Sequence, residues 1–252
     1  MKFLKLIGLT AIFITLAASQ SVMAADGEGI TTTFGIRAWS AEWAGNADGG
    51  LVSNGSGAVT SIAEAKSNAT TAIIPFVVVR YGDLGLSSSV MLRKRFTLEG
   101  SNISLTPERQ EWDVSGLYYF APGASASIGY KKMTWDNVAI KGPIVTISGS
   151  APFLGNVGMY GTAAVGWMKT NVDKSSNFAS GASTAYNLLE GGLSYSFGPM
   201  VMLKGTAVTF GYRMQRIKAK NLWPIISTNG PIRYRDTIDS MSGPVLGFQA
   251  AF

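Results

Sequence analysis

Along most of this chain, apolar and polar residues alternate with a period of two, the spacing that sends successive side chains to opposite faces of an extended strand. In SSSVMLRKRFTLEG, Val90, Leu92, Phe96 and Leu98 fall on one face and Ser89, Arg93, Arg95 and Thr97 on the other, with Lys94 out of step. EWDVSGLYYF sets Trp112, Val114, Tyr118 and Phe120 against Glu111, Asp113 and Ser115. NLLEGGLSYSF sets Leu189, Leu193, Tyr195 and Phe197 against Glu190, Gly192, Ser194 and Ser196. The rhythm predicts about ten strands, at roughly residues 31–44, 69–82, 86–99, 108–121, 124–136, 139–151, 156–169, 185–198, 204–217 and 238–252.

The connections alternate too. Those at Gly82-Asp83, Ala121-Pro122-Gly123, Pro152 to Gly155 and Gly198-Pro199 are short and rich in turn residues, whereas 45–68, 171–184 and 218–237 are long and polar. Short turns at one end and long loops at the other are the asymmetry of a transmembrane barrel. The connection at Asp136-Asn137 breaks the pattern, being short where a long loop is expected, and a helical turn is predicted over Ile62 to Lys66. A soluble β-sandwich or lipocalin-like barrel would show the same alternation. Three features favour the membrane: segments long enough for a tilted span, aromatics near segment ends, and small or charged residues opposite the apolar face.

The predicted fold class is therefore all-β, a closed antiparallel transmembrane β-barrel of about ten strands, with eight or twelve as alternatives. Trp39 with Trp43, Tyr118 to Phe120, and Tyr195 with Phe197 are expected as interfacial girdles. Unpaired backbone groups in hydrocarbon cost several kcal/mol each, so the sheet must close. Gly35, Ile36 and Arg37 should then lie beside Val245 to Phe252.

Composition narrows the chemistry. Met1 to Lys5 is basic, Leu6 to Ala17 is apolar, and Val22-Met23-Ala24 supplies small residues before a cleavage point, so residues 1–24 read as a secretory signal peptide and 25–252 as one barrel domain. The chain has no cysteine and no histidine, which excludes disulfides, thiolate metal sites and a lipoprotein cysteine. Without Lys2 and Lys5 the 21 basic residues become 19 against 15 acidic, a scattered surplus that is no nucleic-acid footprint. Neither GDLGL nor GGLVSNG has the strand-to-helix setting of a phosphate loop, so no cofactor is expected. Asp236 and Asp239 are too few to define a calcium site.

The C-terminus, GPVLGFQAAF, puts Leu246, Phe248, Ala250 and Phe252 on one face and Val245, Gly247, Gln249 and Ala251 on the other. In this GFQAAF resembles the C-terminal recognition strand of Gram-negative outer-membrane β-barrel proteins. The likeness covers the leader, the strand rhythm and the last strand. It implies an integral outer-membrane location, contact with outer-membrane lipid and lipopolysaccharide, and recognition of the terminal phenylalanine by the barrel-assembly machinery. Enzymes of that class, including omptin-like proteases, phospholipases and lipid A modifying enzymes, mostly use a histidine. Catalysis is accordingly not expected here.

Inward-facing charge remains. A hairpin folding about residue 103 would set Arg95 opposite Glu111 and Arg93 opposite Asp113, and one about Gly198-Pro199 would set Glu190 across from Arg213. With Arg37, and with Arg80 and Lys131 as candidate additions, these form a predicted ladder of opposite charges in the lumen. Its roles are structural pairing or, alternatively, selectivity for a small ion or solute. Ten strands lie near the filled end of the barrel series, so any conduit is narrow or gated. In the last loop, Lys218, Lys220, Trp223, Arg233, Tyr234 and Arg235 could grip an anionic sugar or phosphate, or simply meet lipopolysaccharide. The expected function is a structural or surface-interacting barrel. A narrow channel for small solutes is the alternative, and a loop-mediated adhesin the third option.

Overall fold

A computed structural model of the protein describes residues 29–45, 65–100, 103–136, 138–172, 181–200, 203–225 and 233–252. Among these residues there is no helix. Thirteen strands form one antiparallel sheet: β1 (Ile30–Gly45), β2 (Ala65–Ser67), β3 (Thr70–Tyr81), β4 (Leu84–Arg95), β5 (Leu98–Gly100), β6 (Ile103–Leu105), β7 (Glu108–Ala121), β8 (Ala124–Trp135), β9 (Val138–Leu154), β10 (Val157–Val172), β11 (Ala182–Met200), β12 (Leu203–Ile225) and β13 (Arg233–Ala251). The ten long strands build the wall, and β13 pairs with β1 to close it. Gly35 sits beside Gln249, Ile36 beside Phe248 and Arg37 beside Gly247, the seam that the need for closure predicts. The predicted leader and residues 46–64 lie outside the described residues.

Each of the ten predicted segments is a strand. The tight turns need a backbone conformation that a Cβ disfavours, and glycine supplies it: Gly82, Gly123, Gly155 and Gly198 have φ of 55°, 74°, 54° and 76°. At the other end Asp136, with φ of 45°, makes the short connection that sequence had marked as an exception.

The wall alternates as a lipid-facing barrel must. Phe34, Leu86, Val114, Ile128, Leu193 and Phe248 project outward, while their strand neighbours point into the lumen. The outward face of β10 stays apolar from Val157 to Trp167. Ten residues at about 3.4 Å each, tilted by about 40°, rise about 25 Å, the height of an outer-membrane apolar band.

Four expectations are corrected. Trp39 and Trp43 are not girdle residues; both are buried inside the barrel. The segment 218–237 is not all loop, since β12 continues to Ile225 and β13 starts at Arg233, with Trp223 registered against Arg235 after a shift. A strand that rises beyond the lipid needs no apolar outer face, so its sequence looks like loop; the same effect lengthens β10 and β11 into 171–184. Of the helical turn expected over Ile62 to Lys66, residues 62–64 lie outside the described residues, and Ala65 and Lys66 belong instead to a short strand, β2, paired with β1 and β5.

Strand β4 also departs from simple alternation. Its pairing with β7 shifts between Met91 and Lys94, a bulge that accounts for the misfit at Lys94. Beyond it the faces exchange: Leu92 is exposed, whereas Phe96 and Leu98 are buried in the interior rather than sharing its face.

Candidate functional site: the closed lumen

Strand alternation aims two sets of side chains into the barrel. The first is apolar and lies toward the loop end. One group joins Trp39, Trp43, Ile74, Met91, Phe96 and Met241 from β1, β3, β4, β13 and the residue after β4; another joins Met133, Ile140, Met168, Tyr186, Leu188 and Ile217 from β8 to β12. Trp135 packs against both groups, so the apolar filling reaches from one wall to the other. Trp43 meets Phe96 and Trp135 edge to face, with centroids 5.4 and 5.9 Å apart.

The second set is charged and embedded in the first. Arg109 is fully buried, its guanidinium 5.0 Å from the Trp43 ring and 5.2 Å from the Trp135 ring. It donates from Nε to Glu111 Oε1 at 2.9 Å and from Nη1 to Asp239 Oδ1 at 3.1 Å. Glu111 also accepts from Gln215 Nε2 at 2.8 Å, and its second oxygen lies 2.8 Å from Lys131 Nζ. Lys131 reaches on to Asp113 at 3.5 Å, which Ser89 Oγ caps at 2.8 Å. Nearer the short turns, Arg213 donates to Glu190 at 3.0 Å and stacks on Trp39, while Arg37 stands 4.0 Å from Glu190 and stacks on Phe76.

Four cations, Arg37, Arg109, Lys131 and Arg213, are thereby matched by Glu111, Asp113, Glu190 and Asp239. Buried charges that satisfy one another in this way are spared the cost of lone ions. Small residues make room: the Phe76 ring lies across its register partner Gly35, where a Cβ would run into Cζ and Cε1. Below the ion pairs a cavity of about 200 Å³ opens at the short-turn end, lined among others by Arg37, Phe76, Tyr160, Ser194, Thr209 and Gln249.

The predicted ladder is rearranged. Glu190 and Arg213 are register partners, and Glu111 and Asp113 do face inward, but Arg93 and Arg95 do not join them. Both arginines are exposed, 69% and 68%, and bridge to Glu108 at 3.6 and 2.6 Å. The hairpin folds about residues 101–102 and not about residue 103; β5 and β6 are its tip, continuing the register that sets Arg95 opposite Glu108, and the bulge before Lys94 has already turned Arg93 and Arg95 outward. Arg80 sits by the short turn, donating to Gly82 O and stacking on Tyr119. Sequence reasoning missed Arg109 and Gln215, although each lies two residues from a predicted member and so shares its face.

On the outside, Leu246, Phe248 and Phe252 are exposed and Val245 and Ala251 are buried, with Phe34 edge-on to Phe252 at 6.0 Å. Lys218 is bridged to Asp236 at 3.0 Å. Lys220 is exposed, and Trp223, Arg233, Tyr234 and Arg235 lie in the paired strand extensions. Asp236 faces out and Asp239 faces in, so the two cannot share a cation.

No protein-family model matches this chain, and no curated protein sequence does. Among solved structures it is similar to the outer membrane protease OmpT from Escherichia coli, with a TM-score of 0.52 and 12% identity over 92% of this chain and 100% of that one. Looser matches are the toluene transporter TodX of Pseudomonas putida (TM-score 0.32, 10% identity, 96% and 93% covered) and an anion-selective porin from Comamonas acidovorans (0.27, 15%, 75% and 55%). The fold is that of the outer-membrane β-barrels.

Proposed function

We propose that this protein is an integral outer-membrane barrel with a sealed interior, its short turns toward the periplasm, and that it acts through the surfaces it presents rather than by conducting solutes. The observation that carries this is the wall-to-wall filling around Trp43, Phe96, Trp135 and Met133, in which the buried charges are already paired. Proteolysis, which belongs to OmpT, is not carried over. This chain has no histidine or cysteine, and among the described residues the lumen carboxylates Glu111, Asp113, Glu190 and Asp239 are each engaged in an ion pair.

Reconstitution in planar bilayers tests the reading. Wild-type protein should give no discrete conductance steps, and replacing Trp39, Trp43 and Phe96 together by alanine should produce them. Ion-selective steps from the wild type would overturn it. They would favour a second reading, a gated passage for small solutes, which the cavity beside Arg37 supports.

A further inference from the structure

The outward face carries one arrangement that packing within the barrel leaves unexplained. Lys132 on β8 is the register partner of Lys141 on β9, and Lys141 is the register partner of Lys169 on β10. All three belong to the lipid-facing parity of their strands, with Lys141 and Lys169 exposed and Lys132 half-buried. Three lysine side chains thus spring from adjacent positions on neighbouring strands, their Cα atoms within two strand spacings, about 10 Å. Among the described residues none of them has a carboxylate partner. Like charges directly opposed across strands destabilise a sheet, so this row is unfavourable for the protein alone.

Its height in the wall indicates what offsets the repulsion. Two residues toward the short turns, on the same faces, stand Tyr130, its register partner Pro143, and the 65% exposed Trp167, the aromatic upper edge of the apolar band. An anion that meets the lysines must therefore carry its charge at the top of the hydrocarbon, as a membrane-anchored headgroup does. Each ammonium offers three donors and no acceptor, which suits phosphate oxygens shared between neighbours. By contrast, Arg93 and Arg95 at the loop end of β4 already share Glu108.

We propose that Lys132, Lys141 and Lys169 form a binding site for the phosphate groups of an outer-leaflet lipopolysaccharide molecule, whose acyl chains lie along β8 to β10 beneath Trp167. The proposal rests on the outer-membrane reading and on the orientation given above.

The test compares wild-type protein with a Lys132→Gln, Lys141→Gln, Lys169→Gln variant and an Arg93→Gln, Arg95→Gln control. Each is extracted from isolated outer membranes, and tightly retained lipopolysaccharide is measured by native mass spectrometry. The lysine variant should retain at least about tenfold less, and the arginine control should match the wild type. Charge-preserving Lys→Arg replacement at the three positions should restore retention. Should the triple variant not fold, Lys141→Gln alone, at the centre of the row, is read instead. Purified protein freed of lipid is then offered lipopolysaccharide vesicles, phosphatidylethanolamine vesicles and inorganic phosphate. Binding confined to the first supports the proposal. Unchanged retention in the lysine variant, or equal competition by inorganic phosphate, overturns it. Absence of the wild type from the outer-membrane fraction would defeat the location itself, a separately visible failure.

Discussion

Glu111 is the residue on which the interior charge balance turns, because it alone meets Arg109, Lys131 and Gln215 at once. Removing it leaves two cations in a packed interior with only Asp239 and the more distant Asp113 between them. Breaking a buried pair from one side costs about 3–5 kcal/mol. We expect Glu111→Ala to lower the urea midpoint of the folded barrel in detergent by a corresponding margin, and Glu108→Ala, whose partners Arg93 and Arg95 are exposed, to cost no more than about 1 kcal/mol. Equal losses from the two substitutions would show that the lumen network contributes no more than surface pairs do. Replacing Arg109, Glu111 and Lys131 together by apolar residues of similar size should recover part of the loss, since no ion is then left behind.

At the scale of strands, alternation exposed nearly everything about the wall and much less about its contents. The ten segments, the closing pair β1 and β13, and the inward parity of Glu111, Asp113, Glu190 and Arg213 could all be read from residues two apart. What could not be read was register across an irregular hairpin. The shift between Met91 and Lys94, and with it the register carried on into β5 and β6, depend on how Phe96 and Leu98 find the interior, a tertiary preference that no local pattern states. The tryptophans misled for a related reason. Periodicity separates the two faces of a strand but does not say which face is lipid, and Trp39 and Trp43 are apolar enough for either. The last strand carries a prediction of its own. Phe252→Ala should reduce the amount of barrel recovered in outer membranes several-fold, while the same variant refolds in detergent to an extent similar to wild type. Equal recovery in membranes would show that the terminal aromatic is not read during assembly.

Taken whole, the wall is a ring of neighbours in which each of the ten long strands is bonded to the long strands before and after it, and β1 and β13 join the two ends. A chain lacking residues 240–252 loses most of that joint and leaves β1 and β12 with open edges. Such edges are not tolerated in hydrocarbon. Wild-type protein should therefore run anomalously on gels until boiled, and the truncated chain should run alike before and after boiling. A heat-sensitive band from the truncated chain would mean that the wall can seal without its last strand.

The same joint sets an order of events in time. Thr33 waits for Ala251, a partner more than two hundred positions later in synthesis. Local hairpins can form early, but nothing in the earliest-made strand can finish its bonding until the final residues have been delivered. Contacts so distant along the chain form slowly. Until Val245 to Ala251 have docked on β1, the sheet keeps two unsatisfied margins, so completion of the cylinder is the last step of folding and not the first.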